Sequence, residues 1–265
     1  MAERAVALLE GGAELLELAH AQSRLAAIYM RAGRWHDRLR CNQRHLDIAR
    51  ELGDVDRELT ARINLGVNYH SLGEIDVALE HTQAALELAM TTGRSAARAL
   101  VHNNMGVILA DAGLEPQARA QLEEGMRLAE RVGYTRFMTE AHGTLARIAY
   151  RSADFATAER EAKAALDLAR AAGSPVDEGI ALRLLAGIAS ERGDAETEAL
   201  LASALERLVG DRYEMARTWA LEAKHAARAG DDARAAARRG EAAVVFEALG
   251  AALDLERLDD PTDLR

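Results

Sequence analysis

The feature that most constrains this 265-residue chain is a repeat with a period of 40 residues. Gly66, Tyr69, Gly73, Ala78, Ala85, Leu86 and Gly93 recur as Gly106, Leu109, Gly113, Ala118, Gly125, Met126 and Gly133. They recur again as Ala146, Ala149, Ala153, Ala158, Ala165, Leu166 and Gly173. A fixed period of this length marks a stack of supersecondary units, each unable to bury its apolar face alone and each covered by the next. Such an array grows by adding units, so length does not count domains, and one continuous solenoid is expected.

The units are helical by composition and spacing. Alanine and leucine dominate, aromatic residues make up 4%, and the only prolines are Pro116, Pro175 and Pro261. Apolar periodicity predicts helix pairs over 13–33 and 35–52, 55–72 and 75–92, 95–112 and 115–132, and 135–152 and 155–172. Each helix has about 18 residues and is about 27 Å long at about 1.5 Å per residue. With two more pairs, the units are expected over 13–53, 54–93, 94–133, 134–173, 174–210 and 211–250, the fifth shortened in its second helix. Residues 1–12 are expected to form a partial repeat or cap helix, and 251–265 a helical start with an acidic tail. Gly53 suits a left-handed helix stop and Asp54 an N-cap for the next helix. Pro116 and Pro175 suit helix starts.

Packing follows from the same positions. Small residues at Gly66, Gly106 and Ala146 allow the two helices of a hairpin to approach closely, while leucines and tyrosines fill the space between hairpins. In the first unit, Leu25, Ala26, Ile28 and Tyr29 should face the partner helix. Trp35 occupies the position of Ile75 and Phe155 and is expected in the core; Trp219 has no account in the pattern. A bulky charge at Ala78, Ala118 or Ala158 should uncouple adjacent units.

The motif LGVNYHSLGEIDVALEHTQAAL, over 65–86, resembles the tetratricopeptide repeat, here with longer helices than the usual 34-residue unit. The 40-residue variety looks like the repeats of Pins-type spindle-orientation adaptors and the helical tails of large bacterial regulators. The resemblance spans about residues 13–250. Two departures stand out: Ala153 replaces the turn glycine, and the sixth unit lacks an aromatic near Ala226. It implies an all-α, right-handed superhelix of about six hairpins whose first helices line a concave groove that holds a peptide or partner domain.

Carried onto this chain, that lining selects Asn64, His70, Asn103, Asn104, Asp111, Thr144, Arg147, Tyr150, Arg151 and Arg183. The first unit adds His20, Arg24 and Arg31, and the sixth Arg217, Lys224 and Arg228. Asn64 and Asn104 stand 40 residues apart, which would stack two amides able to pair with an extended peptide backbone; local bonding is the alternative. The arginines would suit an acidic peptide or free carboxylate. The alternative is that each pairs with an acidic residue of a neighbouring repeat.

The remaining chemistry narrows the classes. A net charge of −10 and a pI near 5.4 argue against a nucleic-acid surface. No apolar run approaches the roughly 20 residues that span a bilayer, and the first nine residues lack a signal-peptide pattern. Cys41 is the single cysteine, so no intrachain disulfide forms, and a cytoplasmic setting is expected. The eight histidines form no HxxxH or HExxH pair, neither Lys163 nor Lys224 follows a glycine as a P-loop requires, and GRSAA at 93–97 fails the GxSxG elbow. The expectation is a non-catalytic scaffold without cofactor or metal that binds a protein or peptide segment, self-association included. The alternative is an effector-sensing or self-associating tail of a larger nucleotide-dependent signalling protein or transcription regulator.

Overall fold

The computed structural model describes residues 15–133 and 135–259. Residues 1–12, expected to end a partial repeat, and the acidic tail from 260 onward lie outside them. The described residues form thirteen helices and no strands. Six hairpins follow one another: α1 (Leu15–Arg31) with α2 (Trp35–Glu51), α3 (Val55–Ser71) with α4 (Ile75–Thr91), and α5 (Ser95–Asp111) with α6 (Glu115–Val132). Then come α7 (Thr135–Arg151) with α8 (Phe155–Ala172), α9 (Pro175–Arg192) with α10 (Thr197–Arg207), and α11 (Arg212–Arg228) with α12 (Asp232–Leu249). A single short helix, α13 (Ala252–Asp259), ends the described chain.

One turn shows how the sequence writes each hairpin boundary. The Gly53 N–H bonds the Arg50 carbonyl at 3.1 Å and the Asp54 N–H the Ala49 carbonyl at 2.9 Å, which satisfies the last carbonyls of α2. Gly53 takes φ +63° to do so. Asp54 then accepts from the Arg57 N–H at 3.0 Å, so the residue that seals one helix caps the next. Ala153 makes the same turn at φ +58° with a Cβ present, the one non-glycine residue among those described with positive φ.

The small-residue positions pack as expected. A Cβ on Gly106 would lie 2.6 Å from Leu122 Cγ and 3.2 Å from the Ala118 carbonyl, so α5 and α6 touch through backbone there. Ala78, Ala118 and Ala158 are fully buried. In α1, Leu25, Ala26 and Tyr29 are buried, but Ile28 is 46% exposed, because the residue before Tyr29 in the helical turn faces away from α2. The second helix of the fifth hairpin is shorter than expected. Residues 194–196 are spent in a turn, where the Thr197 N–H and hydroxyl both donate to the Asp194 carbonyl, at 3.3 and 2.8 Å.

The array does not stay open. Trp35, at the start of α2, meets Tyr213 of α11 edge to face with ring centroids 5.1 Å apart, and Tyr213 in turn meets Phe246 of α12 at 6.1 Å. A Cβ on Gly33 would collide with Leu249 at 2.3 Å, and one on Gly250 would approach His36 at 3.2 Å. Trp35 is thus buried against the far end of the chain rather than within its own repeat, and Trp219 belongs to the same cluster. Asn68, fully buried on α3, anchors this edge by donating to the Trp35 carbonyl at 3.1 Å and accepting from Asn42 at 3.3 Å.

Candidate functional site

Closure converts the concave groove into an axial cavity with two connected lobes. The larger, about 370 Å³, is lined among others by Val67, His70 and Ser71 of α3, Val107 and Asp111 of α5, Thr144 and Arg147 of α7, and Tyr213, Glu214 and Arg217 of α11. The smaller, about 190 Å³, lies between α7, α9, α11 and α13 and includes Tyr150, Arg151, Leu184, Leu221, Phe246 and Leu258. The 40-residue period builds this wall directly: Val67, Val107, Arg147 and Gly187 share one repeat position, and Ser71, Asp111 and Arg151 another.

Asp111 is the electrostatic centre. Its carboxylate accepts from Arg147 Nη1 at 3.2 Å, Arg257 Nη2 of α13 at 3.3 Å and His70 Nε2 at 3.0 Å, with Arg151 Nη1 at 3.8 Å. Burial alone would raise its pKa, but Arg147, the His70 hydrogen bond and Arg257 outweigh it and hold the carboxyl well below the usual carboxylate range. A carboxylate held that low is a poor proton acceptor near neutral pH, so the group is an ion-pair hub rather than a general base.

A second hub sits on α9 and α11. Arg183, 6% exposed, donates to the Glu214 carboxylate at 2.6 Å and its backbone carbonyl at 3.0 Å. Burial pulls against the Glu214 charge, yet Arg183 and then Arg217 depress its pKa. Arg217 also faces Asp254 of α13 at 3.6 Å, and the Tyr213 hydroxyl donates to Asp254 at 2.8 Å. Tyr150 donates to Glu191 at 2.8 Å; burial, then that bond, raises its phenol above the usual value.

The lobes differ in charge. The larger balances Arg147, Arg183, Arg217 and Arg257 against Asp111, Glu140, Asp177, Glu214 and Asp254. The smaller sets six cations, the same four arginines with Arg151 and Lys224, against Asp111 and Asp254 alone. Arg151 is the least satisfied: its Nε and Nη2 are buried without a hydrogen-bond partner, and burial followed by the neighbouring Arg147 lowers its pKa.

Of the residues selected from sequence, His70, Asp111, Thr144, Arg147, Tyr150, Arg151, Arg183, Arg217 and Lys224 converge on this cavity. Asn64 and Asn104 line neither lobe, so the expected amide ladder is not part of the cavity wall. The reason is where α13 crosses: Leu253 packs at Gly73 and Arg257 reaches Asp111, so the cavity is framed by the last turns of α3 and α5. Asn64 lies about two turns earlier on α3, and Asn104 equally far back on α5. Asn103, buried at 1% exposure, lines neither lobe itself but donates at 2.7 Å to Glu140, which lines the larger one. Arg24 and His20 are exposed on α1 and line neither lobe; the Arg31 side chain lies outside the described set. Arg228 bonds Ser190 at 3.2 Å and pairs with Glu191. Arg257, Asp254 and Tyr213 have no signal in the repeat register: the first two lie beyond the last repeat, and the third sits in the first turn of α11.

Comparison with known proteins agrees with this architecture. Residues 17–91 match the tetratricopeptide repeat model. No curated protein matches the chain significantly. Among solved structures, a Rap protein complexed with Competence and Sporulation Factor superposes with a TM-score of 0.78 at 11% identity, over 98% of this chain and 80% of that one. The apo form of RapI gives 0.74 at 15% identity, over 93% and 89%. Aspartyl phosphate phosphatase F from Bacillus subtilis gives 0.75 at 14% identity, over 94% and 65%. Identities this low establish fold and not activity, and the likeness to Pins-type adaptors finds no support in these matches. Among the described residues no helix is long and apolar enough to cross a membrane. Residues 17–91 thus carry a tetratricopeptide repeat match, and the described chain as a whole has the fold of a helical-hairpin solenoid like those of these structures.

Proposed function

We propose that the chain is a non-catalytic binding protein whose axial cavity takes an acidic peptide or protein segment, with a carboxylate seated among the arginines of the smaller lobe. One observation carries the reading. In a chain of net charge −10, six cations line this lobe, and while Arg147, Arg183, Arg217 and Arg257 are paired with Asp111, Glu214 or Asp254, Arg151 keeps its Nε and Nη2 buried without a hydrogen-bond partner. The side walls are apolar, with Leu184, Leu221, Phe246 and Leu258, so the favoured group is a carboxylate beside an apolar side chain. A further anion would complete the Arg151 environment, and preformed guanidinium positions limit the ordering cost of binding. That a structurally similar Rap protein is known in complex with Competence and Sporulation Factor supports a ligand-binding role for this fold.

The test is a display selection of random peptides on the full-length protein. Enriched peptides should carry Asp, Glu or a free terminal carboxylate next to apolar residues. Their affinity should drop about tenfold or more in Arg151→Gln, the loss of one charge-assisted contact of about 1.5–3 kcal/mol, and should fall with added salt. Enrichment of basic or uncharged peptides indifferent to both changes would rule the reading out.

A further inference from the structure

We infer that Gly187 is the floor of a subsite in the smaller lobe that takes an apolar side chain of leucine size or larger, directly beside the carboxylate seat. The inference rests on the reading that a carboxylate enters this lobe, and it names the group attached to it.

A glycine inside a helix weakens it, because the chain gives up more freedom there and packs no side chain in return. Four of the described helix-interior glycines are held by packing. A Cβ on Gly66, Gly106, Gly125 or Gly179 would come within 2.5, 2.6, 3.2 and 2.6 Å of a facing atom. Gly187, buried in the interior of α9, has no such neighbour. The nearest atoms to a Cβ there, Leu221 Cδ1 and Cδ2 and Tyr150 Cε2, would each lie 3.7 Å away, an ordinary contact distance. Nor does Gly187 take the left-handed backbone that favours glycine. Neither packing nor backbone geometry accounts for the missing side chain.

What distinguishes the position is the space in front of it. Gly187 shares its repeat position with Val67, Val107 and Arg147, which all line the cavity, so the fifth hairpin leaves bare backbone where the three before it place a side chain. The wall around that backbone is apolar: Leu184 one turn earlier on α9, Leu221 of α11, Phe246 of α12 and Leu258 of α13. Tyr150 is fixed beside it, its hydroxyl donating to Glu191 at 2.8 Å and its ring meeting Phe155 at 6.0 Å. The lobe measures about 190 Å³. A cavity of about 150 Å³ with similar walls takes a benzene ring, so this one has room for a large apolar side chain together with a carboxylate. Arg151 follows Tyr150 on α7 and lines the same lobe, which puts cation and apolar wall within reach of a single ligand residue.

The probes are the N-acetyl derivatives of phenylalanine, leucine and glycine, each with a free carboxylate, titrated into the full-length protein and followed by ligand-observed NMR. The carboxylate is common to all three, so differences report the side chain. The expected result is saturable binding of the phenylalanine and leucine derivatives at about millimolar concentration. The glycine derivative should bind about tenfold or more weakly, the effect of losing one buried apolar side chain. Gly187→Val should weaken the phenylalanine derivative by about tenfold and leave the glycine derivative unchanged, while Arg151→Gln weakens all three. Gly187→Ala, whose Cβ fits at contact distance, is the milder variant. It should weaken the two larger acids by a smaller factor and keep or raise the denaturation midpoint, as removing an unconstrained helical glycine does.

No saturable binding of the phenylalanine derivative, equal binding of all three acids, or undiminished binding to a folded Gly187→Val overturns the inference. A midpoint lowered by Gly187→Ala does so too, by making the glycine a packing residue. If peptides from the display selection depend on Arg151 but ignore Gly187→Val, the carboxylate reading stands and this inference falls.

Discussion

Replacing Asp111 by Asn keeps the shape of the side chain and removes the single negative charge shared by Arg147, Arg257 and Arg151. The Asp111 side chain is 7% exposed, and breaking a buried ion pair by deleting one partner costs about 3–5 kcal/mol. Arg147 and Arg257 are 20% and 30% exposed, so water relieves part of their stranding and about 2–3 kcal/mol is the working figure. With an unfolding entropy of about 2.1 cal/mol/K per residue, a chain this long melts about 4–5 °C lower. Urea unfolding followed by tryptophan fluorescence measures the loss, and a double-mutant cycle assigns it. Arg257→Ala should destabilise the unaltered protein by about 1–2 kcal/mol and be neutral or stabilising in the Asp111→Asn background, a coupling of at least about 1 kcal/mol. The pH dependence has a defined sign. Because the folded carboxyl is depressed, its contribution is complete above the unfolded value near about 3.9 and is lost as pH falls through the folded value. The gap between the two proteins should narrow below about pH 4. Strict additivity in the cycle, or a gap that fails to narrow below about pH 4, would refute the hub.

Other perturbations test other levels of the structure. Ala153→Gly removes a Cβ from a left-handed turn, a strain of about 1–2 kcal/mol partly offset by glycine's extra freedom when unfolded, so a gain of about 0.5–1 kcal/mol is expected by denaturant midpoint. Gly106→Val forces atoms into the space of Leu122 Cγ and the Ala118 carbonyl and should cost about 2–3 kcal/mol, read in the same assay. Ala118→Asp buries an unpaired charge between α5 and α6 and should split thermal unfolding into two transitions by calorimetry; a single unshifted transition would contradict nearest-neighbour coupling. Trp35→Ala removes the edge-to-face contact with Tyr213 and should cost about 3–5 kcal/mol, lowering hydrogen-exchange protection in α11 and α12 as well as in α2.

The repeat was legible because its cause is local. Gly53, Asp54, Gly66 and Ala78 each answer a constraint set within one hairpin or between neighbours, and that constraint returns every 40 residues in the same residue type. The inner wall was legible in part for the same reason: His70, Asp111, Arg147 and Arg151 lie on faces that the period predicts. Asn64 and Asn104 obey that period and still line neither lobe, because cavity membership depends on where α13 crosses. Closure depends on the curvature summed over six hairpins, which no single repeat encodes. Trp219, without an account in the repeat pattern, was the visible trace of it, since a large aromatic outside the pattern had to be packed against something non-local.

Closure also changes what kind of object the cavity is. In an open solenoid each unit feels only its neighbours, and a groove ligand adds contacts to a wall that exists without it. Here Trp35 and Gly33 of the first hairpin lean on Tyr213 and Leu249 of the last, and α13 runs back to Asp111 in the third. An occupant bonded to both Asp111 and Arg217 therefore touches helices that are not successive repeats and loads the seam between first and last hairpins. Anything that binds only the closed arrangement stabilises the seam by mass action, in proportion to its saturation. The cavity wall thus couples occupancy of the cavity to closure of the superhelix, and the coupling is reciprocal: variants that loosen the seam must change affinity for whatever the cavity holds.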